Sequence, residues 1–159
     1  MISGGRIRTA AGAAALLVAG AGAAVADNAP GHDAYSRLSA ADAIVLAVQS
    51  EDGRGREVRL AVYDDPATFL ESPASRHHAK VGEDGLAVVA VRGLKAGEYS
   101  FVAYLDVNGD GKLNRNALGK PKEPFIFSND VKPKLKKPSF DETKVTVSPG
   151  EVVVLTLKG

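Results

Sequence analysis

The chain of 159 residues contains no cysteine. That excludes disulfides, thiol catalysis, zinc–thiolate sites and a lipid-modified N-terminal cysteine, so stability must come from packing or from a metal. An excess of one charge is lacking too: 20 Lys and Arg face 19 Asp and Glu, a formal net charge of +1. A chain this close to neutral carries no electrostatic footprint for nucleic acid. Catalytic chemistry is equally sparse. Ser72, Ser75 and Ser128 stand in no nucleophile-elbow context, and three histidines offer no paired base and orienter. The expectation is a protein that is not an enzyme. Beyond Ala26 there is also no sustained helical period and no internal repeat.

The one long apolar run lies at the start. Arg6 and Arg8 form a short basic region, residues 9–25 are almost entirely Ala, Gly, Leu and Val, and Ala24-Val25-Ala26 supplies a small-x-small cleavage pattern. A membrane span needs about 20 strongly apolar residues, and this run is shorter and diluted by Ala and Gly. Residues 1–26 therefore read as a signal peptide, with the mature chain beginning at Asp27. The protein is expected to be exported, periplasmic or secreted, with no integral membrane span after cleavage. Residues 27–42 are polar, carry Pro30 and Gly31, and read as a flexible N-terminal arm. Residues 43–159 suit a single domain.

That domain reads as strands. Residues 43–48 are a β-rich run, and residues 57–63 alternate, with Val58, Leu60 and Val62 on one face. The turn at 51–55 joins these two as a hairpin. Residues 64–85 read as irregular, with Phe69 and Leu70 tucked beneath. Strands follow at 86–91 and 98–105, the second with Tyr99, Phe101, Ala103 and Leu105 on one side. A last hairpin joins 144–147 to 152–157 around Ser148-Pro149-Gly150. Short alternating runs between Gly and Pro turns predict an all-β fold, a single antiparallel β-sandwich of about seven strands. Residues 106–142 break the rhythm, with only Phe125-Ile126-Phe127 as a strand. A connection this long is usually functional or disordered, and Leu118, Phe125, Phe127 and Phe140 give it the apolar anchors of an ordered one.

The connection opens Asp106-Val107-Asn108-Gly109-Asp110-Gly111-Lys112-Leu113-Asn114. Asp106, Asn108 and Asp110 take the first, third and fifth places of a calcium loop. Gly111 permits the sharp turn at the sixth, Lys112 offers its carbonyl at the seventh, and Asn114 reaches toward the ion at the ninth. The twelfth place holds Ala117 rather than a bidentate Glu, and Gly119 and Pro121 forbid an exit helix, so this is no EF-hand. Glu123 is the nearest downstream carboxylate that can fold back to complete a shell. The cofactor implied is Ca²⁺, bound weakly, at about 10⁻⁴–10⁻³ M. The alternative is a turn in which Asp and Asn side chains cap backbone amides.

From Tyr99 onward, through the loop just quoted and then Asn116, Gly119, Pro121, Glu123 and Phe127-Ser128-Asn129, the chain resembles the DUF2141 family. These are exported bacterial proteins whose signature is similar to D-x-N-x-N-G-K-L-D-x-N-x-x-G-x-P-x-E-x-x-G-F-S-N. Gly111, Leu113, Asn116, Gly119, Pro121, Phe127, Ser128 and Asn129 are the further positions that match. The resemblance spans roughly residues 44–157. It implies a single β-sandwich domain and no established activity. Asn114 stands where the family tends to have Asp, and Ile126 replaces the Gly before Phe127, where positive φ is then disfavoured. Gly93-Leu94-Lys95-Ala96-Gly97-Glu98-Tyr99 also resembles a turn of transthyretin-like and carboxypeptidase-regulatory-like sandwiches, a likeness of fold and not of function.

Other charged stretches read as solvated. His77 and His78 point to opposite sides of an extended chain and cannot chelate together. Lys132, Lys134, Lys136 and Lys137, broken by Pro133 and Pro138, read as linker, the other reading being contact with an anionic glycan or lipid head group. The expected function is a non-enzymatic module with a Ca²⁺-stabilised loop presenting a recognition surface, its partner unknown and the candidates a cell-envelope protein or glycan. The alternatives are a metal-free structural or accessory envelope protein, and a hydrolase using Asp106, Asp110 and Glu123. If the strands ending at Tyr63 and Leu105 run the same way, Asp64 and Asp65 emerge beside Asp106 and supply the missing carboxylate.

Overall fold

The computed structural model describes residues 40–133 and 136–158. The expected signal peptide and most of the expected arm lie outside the described residues. The strands are β1 (Ala43–Gln49), β2 (Glu57–Tyr63), β3 (Ser75–Lys80), β4 (Leu86–Arg92), β5 (Gly97–Asp106), β6 (Phe125–Phe127), β7 (Val145–Val147) and β8 (Val152–Thr156), with one turn of helix, α1 (Phe140–Thr143). The fold is all-β, in two sheets. One has the order β4-β1-β8, and the other β3-β2-β5-β6, with β7 also paired to β5.

Period-two alternation builds the core. Ile44, Leu46 and Val48 of β1, Val58, Leu60 and Val62 of β2, Val89 and Val91 of β4, and Phe101, Ala103 and Leu105 of β5 form one buried cluster fed by both sheets. Each large apolar side chain buried this way stabilises the fold by about 1.5–3 kcal/mol. Val45, Ala47 and Val152 are buried in a second, smaller cluster. With both of its faces buried, β1 is an unbroken apolar run where β2 alternates.

Several expectations are corrected. β1 and β2 form no hairpin, because they belong to different sheets. The turn between them crosses from one sheet to the other, and β1 instead pairs antiparallel with β4 and parallel with β8. The first sheet is therefore mixed, not purely antiparallel. The last hairpin fails in the same way: β7 joins β5 while β8 joins β1. A Gly- or Pro-rich turn marks a reversal, but a reversal can as well change sheets as close a hairpin. Within residues 64–85, expected to be irregular, β3 pairs along β2. His77 and His78 sit on this strand, half-buried and exposed respectively. Its polar sequence hid it, since an edge strand needs no apolar face.

Asp64 and Asp65 do not approach Asp106. β2 and β5 are antiparallel, with Glu57 opposite Asp106 and Tyr63 opposite Ser100. That register puts Asp64 at the far end of the sheet, about 20 Å away at the usual rise per residue. Asp65 instead accepts from the amide of Ala67 at 2.8 Å and caps a 3-10 turn.

One detail of β5 positions everything that follows. Along one edge it pairs first with β7, at Gly97 to Tyr99, and then with β6, at Val102 to Tyr104. Two excursions leave this edge: residues 107–124 beyond the strand's end, and residues 128–144 through the gap between β6 and β7.

Candidate functional site

Asp106 ends β5 with its side chain wholly out of solvent. Its Oδ2 accepts from Arg59 Nε at 2.8 Å and from the amide of Gly111 at 2.8 Å, and its Oδ1 accepts from the amide of Asp110 at 3.1 Å. Arg59 stands on neighbouring β2 and also pairs with Glu57 at 3.0 Å. Gly111 suits this turn chiefly through its backbone. Its φ is +78°, and a Cβ there would lie 3.3 Å from the Arg59 guanidinium. Tyr104 donates its hydroxyl to the Gly111 carbonyl at 3.0 Å, closing the turn from the sheet side.

Glu123 is also buried, and it does fold back across the loop. Its Oε1 accepts from the amide of Val107 at 2.9 Å and its Oε2 from the amide of Asn114 at 3.0 Å. Between these two acids lies the exposed Asp110, which accepts from the Lys112 amide at 2.9 Å and from Asn114 Nδ2 at 3.0 Å. Asn108 accepts from the Asp110 amide at 3.3 Å, and the Lys112 carbonyl accepts from Asn114 Nδ2 at 3.2 Å. Leu113 is half-buried beneath them.

Burial alone would push the Asp106 carboxyl up. The Arg59 hydrogen bond, the backbone amides and the guanidinium charge outweigh it and hold the group below the usual carboxylate range. Arg59 is raised in turn, chiefly by its hydrogen bond to Asp106. Asp110 is lowered by the Asn114 side chain and the Lys112 amide. Burial raises Tyr104.

Taken as a calcium shell, these donors fit poorly. Each oxygen of Asp106, Asp110 and Glu123, the side-chain oxygen of Asn108 and the carbonyl of Lys112 already accepts an N–H. A guanidinium occupies Asp106, where a divalent cation would be repelled by it. Among the described residues no three His, Asp or Glu side chains gather so as to hold a metal ion.

The outer part of the loop is a small hairpin of its own. Arg115 bridges to Pro121. The Asn116 side chain accepts from the amides of Leu118 at 2.9 Å and Lys120 at 3.0 Å, and Gly119 turns the chain with φ +76°. Asn116 thus serves the turn and stands away from Asp106.

Phe127, Ser128 and Asn129 serve the other excursion. In the gap between β6 and β7 the amide of Phe101 has no strand partner. Ser128 Oγ, fully buried, accepts from it at 2.9 Å and donates to the Thr143 carbonyl. The Ser100 and Thr143 hydroxyls pair at 2.7 Å. Asn129 takes φ 63° and donates to the Glu142 carbonyl at 3.1 Å. Ile126 is an ordinary residue of β6 and needs no positive φ. These motif positions are scaffold, securing the chain where the sheet is interrupted.

Sequence reasoning missed Arg59, Ser100 and Thr143. Alternation turns Arg59 away from the core, and nothing in its own segment points to Asp106. Ser139 was missed as well, although with Glu142 it makes a capping box at the start of α1, the S-x-x-E pattern that announces a helix start.

Two facing sheets around one core, with a carboxylate-organised loop at the end of an inner strand, define a small all-β module. The chain belongs to the family described as "uncharacterized protein conserved in bacteria (DUF2141)", which matches residues 46–154 and takes in the entire loop. No curated protein and no solved structure matches it.

Proposed function

We propose that the chain is a non-enzymatic, exported accessory module of the cell envelope with a transthyretin-like sandwich fold, and that residues 106–124 are a rigid, metal-free recognition loop. The observation that carries this is Asp106: a carboxylate without exposed surface, engaged by Arg59 and two loop amides. Charge-assisted hydrogen bonds of this kind are about twice as strong as neutral ones, and here they fix the backbone. A general base must reach the proton it abstracts, whereas Asp106 and Glu123 turn their oxygens inward to amides, which weighs against the hydrolase reading. Export is supported by the pattern of residues 1–26. What the loop offers outward is the set of side chains between Val107 and Lys122, held on a fixed backbone.

A second reading keeps Ca²⁺. The spacing of Asp106, Asn108 and Asp110 and the return of Glu123 favour it, and it requires Arg59 to leave Asp106. Trypsin separates the two, because Lys112, Arg115 and Lys122 are cleavage sites within the loop, Lys120 being protected by Pro121. The metal-free loop is cut at one rate in about 1 mM Ca²⁺ and in EDTA, and faster in Asp106→Ala. Protection by Ca²⁺ that disappears in Asp110→Ala establishes the calcium reading instead. If Asp106→Ala is cut no faster than the parent, the carboxylate does not hold the loop and the proposal fails.

A further inference from the structure

Leu118, expected as an apolar anchor, is instead 82% exposed, the most exposed large apolar side chain among the described residues. A single exposed Leu is ordinary, but this one is held out by a built turn. The Asn116 amide donates to the Lys120 carbonyl at 2.8 Å, the Gly119 amide to the Asn116 carbonyl at 2.9 Å, and Arg115 Nη1 to the Gly119 carbonyl at 2.8 Å. With the two bonds to Asn116 Oδ1 and the positive φ of Gly119, little freedom remains at the tip. Along the same excursion lie four exposed cations, Lys112 before the hairpin and Arg115, Lys120 and Lys122 on its two arms, none of them in an ion pair among the described residues. The one acid on this stretch of the surface, Asp110, is tied to Asn114 and the Lys112 amide.

An apolar tip on a hydrogen-bonded hairpin whose arms carry unpaired cations has the chemistry of a surface that meets anionic lipid. The lysines are long and unconstrained, which suits a diffuse sheet of phosphates better than a shape-matched acidic pocket, and Lys and Arg stems lie readily along an apolar layer while their heads stay wet. Building on the rigid loop proposed above, we infer that the tip docks on an anionic lipid surface, with Leu118 entering the head-group layer and Lys112, Arg115, Lys120 and Lys122 facing the phosphates. One apolar side chain and a few cations make this reversible, since stable anchoring needs stronger or multiple signals.

The test is co-sedimentation of the protein, recovered in soluble form from cells expressing the full chain, with phosphatidylcholine vesicles with and without about one-third phosphatidylglycerol. Binding is expected to the anionic vesicles alone and to be lost at about 0.5 M salt. Lys120→Glu with Lys122→Glu should weaken it at least about tenfold, since each cation near such a surface contributes about a factor of five. Leu118→Ser should weaken it about fivefold, and Lys136→Glu with Lys137→Glu, a control elsewhere on the chain, should leave it nearly unchanged. No binding, equal binding to both vesicles, tip variants that bind like the parent, or equal loss in the control would each overturn the inference. So would soluble polyglutamate that binds the parent and Leu118→Ser equally and displaces the vesicles, because the partner is then an acidic protein. Trypsin resistance of the loop, measured on the same samples, keeps this failure distinct from failure of the rigid loop itself.

Discussion

In residues 107–124 the amides of Val107, Asp110, Gly111, Lys112 and Asn114 are taken by carboxylates. In residues 128–144 the Ser139 amide is taken by the Glu142 carboxylate at 2.7 Å, but the part against β5 is held by hydroxyls and aromatic packing. Ser128 bridges Phe101 and Thr143, and Phe69 stacks edge-on against Phe140 at 5.8 Å and tilts against Phe127 at 6.5 Å. Both stretches leave the same edge of β5, and neither has enough regular structure to satisfy itself. The second lies against the core and can use neutral groups and apolar burial. The first projects beyond the end of the sheet, where little apolar surface is to hand, and needs the stronger grip of charge. The difference teaches that residues 107–124 are held by bonds that respond to protonation, while the second stretch, apart from the Glu142 cap of α1, is held by hydroxyls and packing that do not.

The largest effect should come from the packed stretch. Phe140→Ala empties a site beside Phe69, and a cost of about 3 kcal/mol is expected, read as a drop in the chemical denaturation midpoint. Ser128→Ala follows, at about 2 kcal/mol, because it strands the Phe101 amide and a Thr143 carbonyl out of water. Should Ser128→Ala prove neutral, the hydroxyl is not what fills the gap in the sheet, and the contrast between the two excursions collapses.

A smaller and more local loss is expected for Asp106→Asn, about 1–2 kcal/mol, since the shape remains while the charge facing Arg59 goes. Hydrogen exchange at Asp110, Gly111 and Asn114 should speed up with little change in β2. The smallest effect sharpens the comparison most. The folded carboxyl of Asp106 titrates below its unfolded value, so its stabilisation is complete at neutral pH. It is lost as pH falls below about 4 and through the folded value. Protection of the Gly111 amide should fall over that range in the parent and stay flat in Asp106→Asn, while the Phe101 amide, held by Ser128, stays flat in both. Glu142, also lowered, by its bonds to Ser139, makes the start of α1 a poor reporter, so Phe101 is the amide to follow. Equal acid sensitivity at Gly111 and Phe101 would show global unfolding and erase the distinction.

Much of the fold was legible. Alternation located β2 and β5, and apolar β-rich runs located β1, β4 and β6, because burial on one face or two writes itself directly into residue order. The turn around Gly111 and the return of Glu123 were legible too, since Asp and Asn at alternate places can reach amides only a few residues away. β3 was not, because an edge strand of Ser, Arg and His carries no apolar period. By itself the sequence determined which residues are inside and where the chain turns, through side chains acting over a handful of neighbours. The tertiary structure alone decided that β1 pairs with β8 and not β2, that Asp64 lies far from Asp106, and that Arg59 completes the loop. Strand pairing is made by backbone groups common to every residue, so its choice of partner rests on how whole faces pack and leaves no mark on any one segment.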